Sequence, residues 1–195
     1  MAVKTKGIGM GEIASRDQLR MSFVRWALLI VPLIVFLGFV SGQLSNSGYG
    51  NAWFAALALP SWFPPAFAFP LVWTLLYAMM GIATAMIADA RGANGRGIAL
   101  VVFGGHLALN LAWGPLFFGA HQVSAAFGLI VAIFVAAALT AWLYGKIRPI
   151  AGMLLLPYLA WLMFAAALNF TIDRLNPEAE SLNPSSAAEF VLPVE

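Results

Sequence analysis

The chain has 195 residues, of which 62% are hydrophobic and 9% are charged, and its mean hydropathy is +0.89. An ordinary soluble domain carries about 25% charged residues, and a chain of this length could not bury so much apolar surface in a water-soluble core. The sequence contains no cysteine, which excludes disulfides, iron–sulfur clusters and a thiol nucleophile, and its net charge of +2 forms no basic stripe of the kind that binds nucleic acid.

Long runs without charge divide the chain into membrane-spanning segments. No Asp, Glu, Lys or Arg occurs at positions 27–88, 97–145 or 149–172, and a helix needs about 20 apolar residues to cross a bilayer. Because lipid offers no partner to free backbone groups, each span should be a helix, and the short links between spans two to five should make neighbours antiparallel. The prediction is an all-α membrane protein, a five-transmembrane-helix bundle with spans at about 26–44, 66–88, 98–118, 123–144 and 150–172.

Three prolines, Pro32, Pro115 and Pro157, lie within these spans. Proline lacks the amide hydrogen that would bond the carbonyl four residues earlier, so neighbouring helices must satisfy the freed carbonyls. We therefore expect kinks at these three points.

The segments outside the spans predict the orientation. Residues 1–25 are expected to form a partly disordered cytoplasmic lead, 26–175 the helical domain, and 176–195 a flexible tail. Nine of the ten Lys and Arg residues lie in the lead and in the second and fourth links. In a five-span protein these segments share one side, so the positive-inside rule places the N-terminus in the cytoplasm of a bacterial cell membrane. An outer membrane, where the rule is less reliable, is the alternative.

The link between spans one and two is uncharged and aromatic. Residues 45–65 include Tyr49, Trp53, Phe54, Trp62 and Phe63 and end in two prolines. A loop of this composition is either an interfacial anchor or a lid, and residues 51–57 could form a short helix.

Polar and aromatic side chains inside the spans are the candidates for a binding site. His106, Asn110, Trp113 and Phe117 follow one another at helical spacing on a single face of span three. Comparable faces occur on span two, at Trp73 and Tyr77, and on span five, at Trp161, Ala165, Leu168 and Asn169. If the three faces point inward, they enclose a pocket suited to a flat, largely apolar ligand.

Each of these residues also has a structural interpretation. A tryptophan near a span end is usually an interfacial anchor, and Asn110 and Asn169 could simply bond a neighbouring helix. His106 is either a haem axial ligand or a packed, hydrogen-bonded histidine. Gly104, Ala108 and Ala112 form a stripe of small residues on span three, which allows close helix approach within the bundle or across a dimer.

Catalytic groups are scarce in the sequence. The spans carry no carboxylate except Asp89 and Asp173 at their ends, and there is no Ser–His–Asp set, phosphate-binding loop or metal cluster. The sequence therefore argues against conventional hydrolase or transferase chemistry, and it predicts neither a catalytic residue nor an obligatory cofactor or metal.

Several motifs resemble those of one known family. They are Trp53-Phe54 and the stretch Leu59 to Pro65 in the first link, Val72 to Gly81 on span two, Leu107 to Trp113 with Phe117 to Ala120 on span three, and Pro157 to Trp161 with Leu168-Asn169 on span five. In this order and spacing, across about residues 43–176, they resemble the TspO/MBR family. This family comprises the tryptophan-rich sensory proteins of bacteria and the mitochondrial translocator protein.

The resemblance implies a five-helix bundle, often a homodimer, that binds protoporphyrin IX or haem and, in some members, cholesterol or benzodiazepine-type drugs. It implies a membrane sensor or transporter for tetrapyrroles. The alternatives are a light-dependent porphyrin-degrading enzyme that uses Trp73 and Trp161, and a scaffold that acts by helix association through Gly104, Ala108 and Ala112. The candidate ligand-binding residues are Trp53, Phe54, Trp62, Trp73, Tyr77, His106, Asn110, Trp113, Trp161, Ala165, Leu168 and Asn169.

The sequence departs from the family pattern at four positions. Phe54 and Phe170 stand where relatives often have tyrosine, Leu59 stands where lysine is common, and His106 stands where glutamine is frequent. Without a tyrosine at 170, the sterol motif of the last helix is incomplete. A second and much looser sterol pattern runs from Leu139 through Tyr144 to Lys146.

Overall fold

The computed structural model describes residues 16–182 of the chain, with side chains described from residue 21 onward. The predicted lead up to residue 15 and the predicted tail from residue 183 lie outside these residues. Within 16–182 the chain forms helices and turns and no strand, which confirms the all-α prediction. Over the same range there are seven α-helices: α1 (Arg16–Leu44), α2 (Ala52–Ala55), α3 (Ala68–Asp89), α4 (Arg96–Gly114), α5 (Val123–Ile147), α6 (Pro149–Met153) and α7 (Leu156–Leu175).

Five helical stretches of the described chain are long and apolar enough to cross a bilayer, as predicted. They contain between 22 and 27 residues each, which corresponds to about 33–40 Å at 1.5 Å per residue. The protein is therefore an integral, multi-pass membrane protein. The stretches are Met21–Leu44, Ala68–Asp89, Arg96–Gly119, Val123–Ile147 and Pro149–Leu175.

The first helix is longer than its predicted span. It begins at Arg16 rather than at residue 26, so residues 16–25 of the predicted lead are helical. The segment from Arg16 to Arg25 contains neither glycine nor proline, and nothing in it stops the helix from continuing past the apolar run. An uncharged run marks the part of a helix that lies in lipid, which is shorter than the helix itself.

The prolines act differently from one another. Pro32 lies inside α1, which runs without interruption to Leu44. Pro115 begins a π-helical turn, Pro115–Gly119, directly after α4. The chain of the last span is interrupted ahead of Pro157, at residues 154–155, and Pro157 lies in the first turn of α7, where a missing amide hydrogen costs nothing.

A neighbouring helix satisfies the carbonyl that Pro115 leaves free. In a regular helix the amide of residue 115 would bond the carbonyl of Leu111, but proline has no amide hydrogen. The Ser41 hydroxyl of α1 donates to the Leu111 carbonyl oxygen at 2.7 Å. The bond removes the cost of an unpaired carbonyl in lipid and joins α1 to α4.

The membrane helices pack in a ring that encloses a cavity. Extensive contacts join α1 to α3, α4 to α5 and α5 to α7, while smaller contacts of α1 with α4 and of α3 with α6 complete the ring. Among the described residues, α3 and α7 meet mainly through aromatic side chains, at Trp73, Tyr158 and Trp161. Because side chains rather than closely approaching backbones join α3 and α7, there is room for a cavity between the two helices.

Candidate functional site

A cavity of about 880 Å³ lies between α1, α3, α4, α5 and α7, beneath the loop that follows α1. This volume is within the range of small-molecule sites in proteins, about 300–1,000 Å³. Nine of the twelve candidate residues line it, and they come from α3, α4, α7 and the loop of residues 45–67, which we call the lid loop. They are Phe54, Trp73, Tyr77, Asn110, Trp113, Trp161, Ala165, Leu168 and Asn169.

The indole rings of Trp73 and Trp161 meet edge to face at the α3–α7 wall. Their centroids are 6.4 Å apart and their planes are inclined by 86°. A flat ligand therefore cannot stack on both rings at once, because only one indole plane can be parallel to it. Trp73 also lies at 31° to the ring of Tyr77, one turn along α3, with the centroids 5.3 Å apart. The rings make a continuous aromatic wall with two perpendicular faces.

The side chain of Asn110 is held by two hydrogen bonds at the inner end of the cavity. Its Oδ1 accepts from the Tyr77 hydroxyl at 2.7 Å, and its Nδ2 donates to the Tyr158 hydroxyl at 2.8 Å. The Tyr158 oxygen also lies 3.1 Å from His106 Nε2. Asn110 thus joins α3, α4 and α7.

Asn169, in contrast, has no hydrogen-bond partner among the described residues. The residue is 2% exposed, and neither its Oδ1 nor its Nδ2 is paired. The indole nitrogens of Trp113 and Trp161, both cavity-lining residues, are buried and unpaired as well. Buried polar atoms without partners cost free energy. These three side chains therefore mark the polar positions where a ligand could gain hydrogen bonds.

Three of the candidate ligand-binding residues do not line the cavity. His106 is 1% exposed and its Nε2 lies 3.1 Å from the Tyr158 hydroxyl, so the structure favours the packed, hydrogen-bonded histidine. Trp62 is 45% exposed and touches the edge of Phe164 from outside. Helical spacing placed His106 on the cavity face of α4, but its ring packs against Phe103 and Tyr158 and does not line the cavity.

Trp53 is the third of these residues, and it anchors the lid loop. Its ring is 1% exposed and stacks on His121, with centroids 4.4 Å apart and planes at 10°. Its indole nitrogen donates to the carbonyl oxygen of Ala179 at 2.8 Å. The neighbouring Phe54 faces the cavity instead, as predicted, because successive residues of the short helix α2 point in different directions.

The loop of residues 45–67 covers the cavity and is tied down at two further places. Asn51 caps α2 by accepting from the Phe54 amide at 3.2 Å, and it donates to the Phe118 carbonyl at 3.1 Å. Asn176, just after α7, bonds both backbone groups of Ala58, at 2.8 and 2.9 Å. The structure supports the interpretation of this loop as a lid, held by the π-helical turn and by the segment after α7.

The sequence did not indicate the roles of four residues around the site. Asn51 and Asn176 hold the lid, Tyr158 carries the hydrogen-bond chain, and Gly38 lets α1 approach α3. A side chain at Gly38 would collide with the ring of Tyr77. A sequence signal was present for Gly38, which forms a pair of small residues with Gly42 at helical spacing, whereas the lid contacts join residues 118 positions apart.

The small-residue stripe on α4 faces outward. Gly104, Ala108 and Ala112 are all exposed in the single chain, and a side chain at Gly104 would meet open space. The stripe therefore does not serve packing within the bundle. Its use between two copies stays a prediction.

Comparisons with known proteins agree with these features. The model of the TspO/MBR family matches residues 29–175. The chain is 42% identical to the translocator protein of Sus scrofa over 141 residues, which cover 71% of this chain and 83% of that protein. It is 37% identical to the tryptophan-rich protein TspO of Chlorobaculum tepidum over 150 residues, 76% of this chain and 94% of that protein. It is also 37% identical to the tryptophan-rich sensory protein of Cereibacter sphaeroides over 134 residues, 67% of this chain and 83% of that protein. The chain belongs to the TspO/MBR family.

Proposed function

We propose that the protein is a membrane-embedded sensor or transporter that binds a tetrapyrrole, protoporphyrin IX or haem, in the aromatic cavity. The observation that carries this proposal is the combination of a cavity of about 880 Å³, walls of indole and phenyl rings, and unpaired polar atoms on Asn169, Trp113 and Trp161. A flat aromatic macrocycle gains most from such walls. The names of the relatives, translocator and sensory proteins, point the same way.

The perpendicular indoles suggest how the macrocycle would lie. It would stack on one of Trp73 and Trp161 and meet the edge of the other. No Lys, Arg, Asp or Glu is found among the residues that line the cavity, so a charged propionate would be costly deep inside. The propionates should therefore lie near the lid, where Gln43, Ser47 and Tyr49 contribute to the lining.

Quenching of tryptophan fluorescence by protoporphyrin IX tests the proposal. In purified protein we expect saturable quenching with a 1:1 endpoint. Ala165→Phe places a ring in the cavity and should weaken binding at least tenfold, whereas Ala167→Phe, on the exposed face of the same helix, should leave it unchanged. Quenching that does not saturate, or equal binding by both variants, would exclude the cavity as the site.

Sterols and benzodiazepine-type drugs are further ligands that the cavity's apolar lining would admit. We propose them as competitors for the same site. Displacement of bound protoporphyrin IX by such a compound, lost in Ala165→Phe, would support shared binding. Simultaneous binding of both without competition would contradict it.

A second candidate function is light-dependent degradation of the bound porphyrin. The observation that favours it is the direct contact between two indoles, Trp73 and Trp161, on the cavity wall. It predicts loss of porphyrin absorbance under illumination, abolished when both residues are changed to phenylalanine while binding is retained. An unchanged rate in the double variant would mean that the indoles take no part.

We also propose that the protein acts in a bacterial cell membrane with its basic end in the cytoplasm. Arg91, Arg96, Lys146 and Arg148 lie at the end of the bundle opposite the lid, as the positive-inside rule requires for that orientation. Labelling of a cysteine introduced at Asn94 by a membrane-impermeant reagent tests it. Labelling in intact cells would show that residue 94 lies outside the cell and that the orientation is the opposite one.

A further inference from the structure

A second, shallow groove lies on the outer surface of the bundle, near the end opposite the lid. It runs between α5 and the junction of α6 with α7 and has a volume of about 430 Å³. Its lining includes Ala138, Trp142, Gly145, Gly152 and Leu156, none of which lines the aromatic cavity. The groove is apolar and faces the lipid.

Two glycines create the groove. A side chain at Gly152 would collide with the backbone of Ala141 and Gly145, so α5 and α6 touch there backbone to backbone. Gly145 itself faces open space. The missing side chain at this position leaves a channel beside Trp142, which is 56% exposed.

The rim of the groove is positively charged. The Lys146 ammonium lies 3.5 Å from the centroid of the Trp142 ring, and Arg148 is exposed two residues later. The two links at this end of the bundle, residues 90–97 and 145–149, contain four Lys and Arg residues and no Asp or Glu. A cation held over an interfacial tryptophan lies at the depth of the phospholipid headgroups.

We propose that this groove is a binding site for an anionic phospholipid. An acyl chain would fill the channel at Gly145, and the headgroup phosphate would pair with Lys146 and Arg148. The apolar channel and the charged rim are adjacent, so one lipid molecule satisfies both. A neutral or zwitterionic lipid would fill the channel and gain less from the rim.

The structure favours a phospholipid over a sterol at this place. The loose sterol pattern of Leu139, Tyr144 and Lys146 needs the tyrosine at the surface. Tyr144 is fully buried, and its hydroxyl lies 3.1 Å from that of Thr84. It therefore cannot reach a sterol in the groove.

Native mass spectrometry of the purified full-length protein, titrated with dioleoylphosphatidylglycerol or dioleoylphosphatidylcholine, tests the proposal. We expect each chain to bind one phosphatidylglycerol molecule tightly and to bind phosphatidylcholine with lower affinity. Lys146→Gln and Arg148→Gln should each lower the phosphatidylglycerol affinity about fivefold. Arg91→Gln, which removes a charge from the other link at the same end of the bundle, should leave it unchanged.

A second pair of variants tests the channel. Gly145→Leu fills it and should lower phosphatidylglycerol binding at least tenfold, whereas Gly128→Leu, at another open position of α5, should not. Four results would overturn the proposal. The first two are equal affinities for the two lipids and equal effects of Arg91→Gln and Lys146→Gln on phosphatidylglycerol affinity. The other two are unchanged phosphatidylglycerol binding in Gly145→Leu, and displacement of the lipid by cholesterol or by a second copy of the chain. Lys146 lies on the surface, so Lys146→Gln should fold. The comparison of Lys146→Gln with Arg91→Gln therefore tests the proposal even if Gly145→Leu fails to fold.

Discussion

The carboxamide of Asn110 accepts a hydrogen bond from the Tyr77 hydroxyl at 2.7 Å, and the same amide donates to Tyr158. This bond joins α3 to α4 at the inner end of the cavity. Both polar atoms of the Asn110 side chain, Oδ1 and Nδ2, therefore have partners within the protein, whereas those of Asn169 do not. Two asparagines that look equivalent in the sequence have different roles.

The two asparagines should respond oppositely to substitution. Asn110→Ala leaves the buried Tyr77 hydroxyl without a partner and removes one of the two hydrogen bonds of the Tyr158 hydroxyl, so it should lower the free energy of unfolding by about 2 kcal/mol. Asn169→Leu removes an unpaired buried amide and should raise it by about 1 kcal/mol, while weakening protoporphyrin IX binding. Thermal unfolding in detergent and fluorescence titration measure the two effects. A loss of stability in Asn169→Leu equal to that in Asn110→Ala would show that the Asn169 amide has a partner.

Release of the ligand should depend on Asn176. Asn176→Ala removes both bonds to Ala58 in the lid. At about 1 kcal/mol for each bond, the dissociation rate of protoporphyrin IX should rise about tenfold or more. Stopped-flow displacement measures the rate, and Asn94→Ala, in a link at the opposite end, is the control. An unchanged rate would mean that the ligand leaves by another route than the lid.

Gly38 should tolerate no side chain. The methyl group of Gly38→Ala would collide with the Tyr77 ring, so α1 must move away from α3 at a cost of about 1–3 kcal/mol. The matched control is Gly105→Ala on α4, where the added methyl meets open space and should be neutral or stabilising. The measurement is the midpoint of thermal unfolding. Equal midpoints for the two variants would contradict the close approach.

The outward stripe on α4 should mediate homodimer formation. Gly104→Leu adds bulk in the centre of the stripe and should convert a dimer into a monomer without changing protoporphyrin IX binding. Leu109→Ala, at an exposed position about 100° around the same helix from Ala108, is the control. Analytical ultracentrifugation in detergent gives the oligomeric state. A dimer that survives Gly104→Leu would place the interface elsewhere and would also weaken the scaffold hypothesis.

The sequence predicted the five crossings and nine of the residues that line the cavity, because charge and helical spacing depend on local properties of the chain. Pro157 predicted a kink in the last span, but the sequence did not place the interruption at residues 154–155, which are leucines. Trp53 and His106 were assigned to the cavity because their types and positions fitted it. Their actual environments depend on Ala179 and Tyr158, which are distant in sequence, and no local pattern contains that information.

The hydrogen bond between the Trp53 indole and the Ala179 carbonyl links the lid to a segment outside the membrane helices. Together with the two hydrogen bonds between Asn176 and Ala58, it couples residues 176–182 directly to the lid loop that covers the cavity. A force applied to that segment reaches the entrance without passing through any transmembrane helix. A reporter domain fused at this end of the chain would therefore disturb the lid loop. Ligand-binding assays should use protein that is tagged at the N-terminus instead.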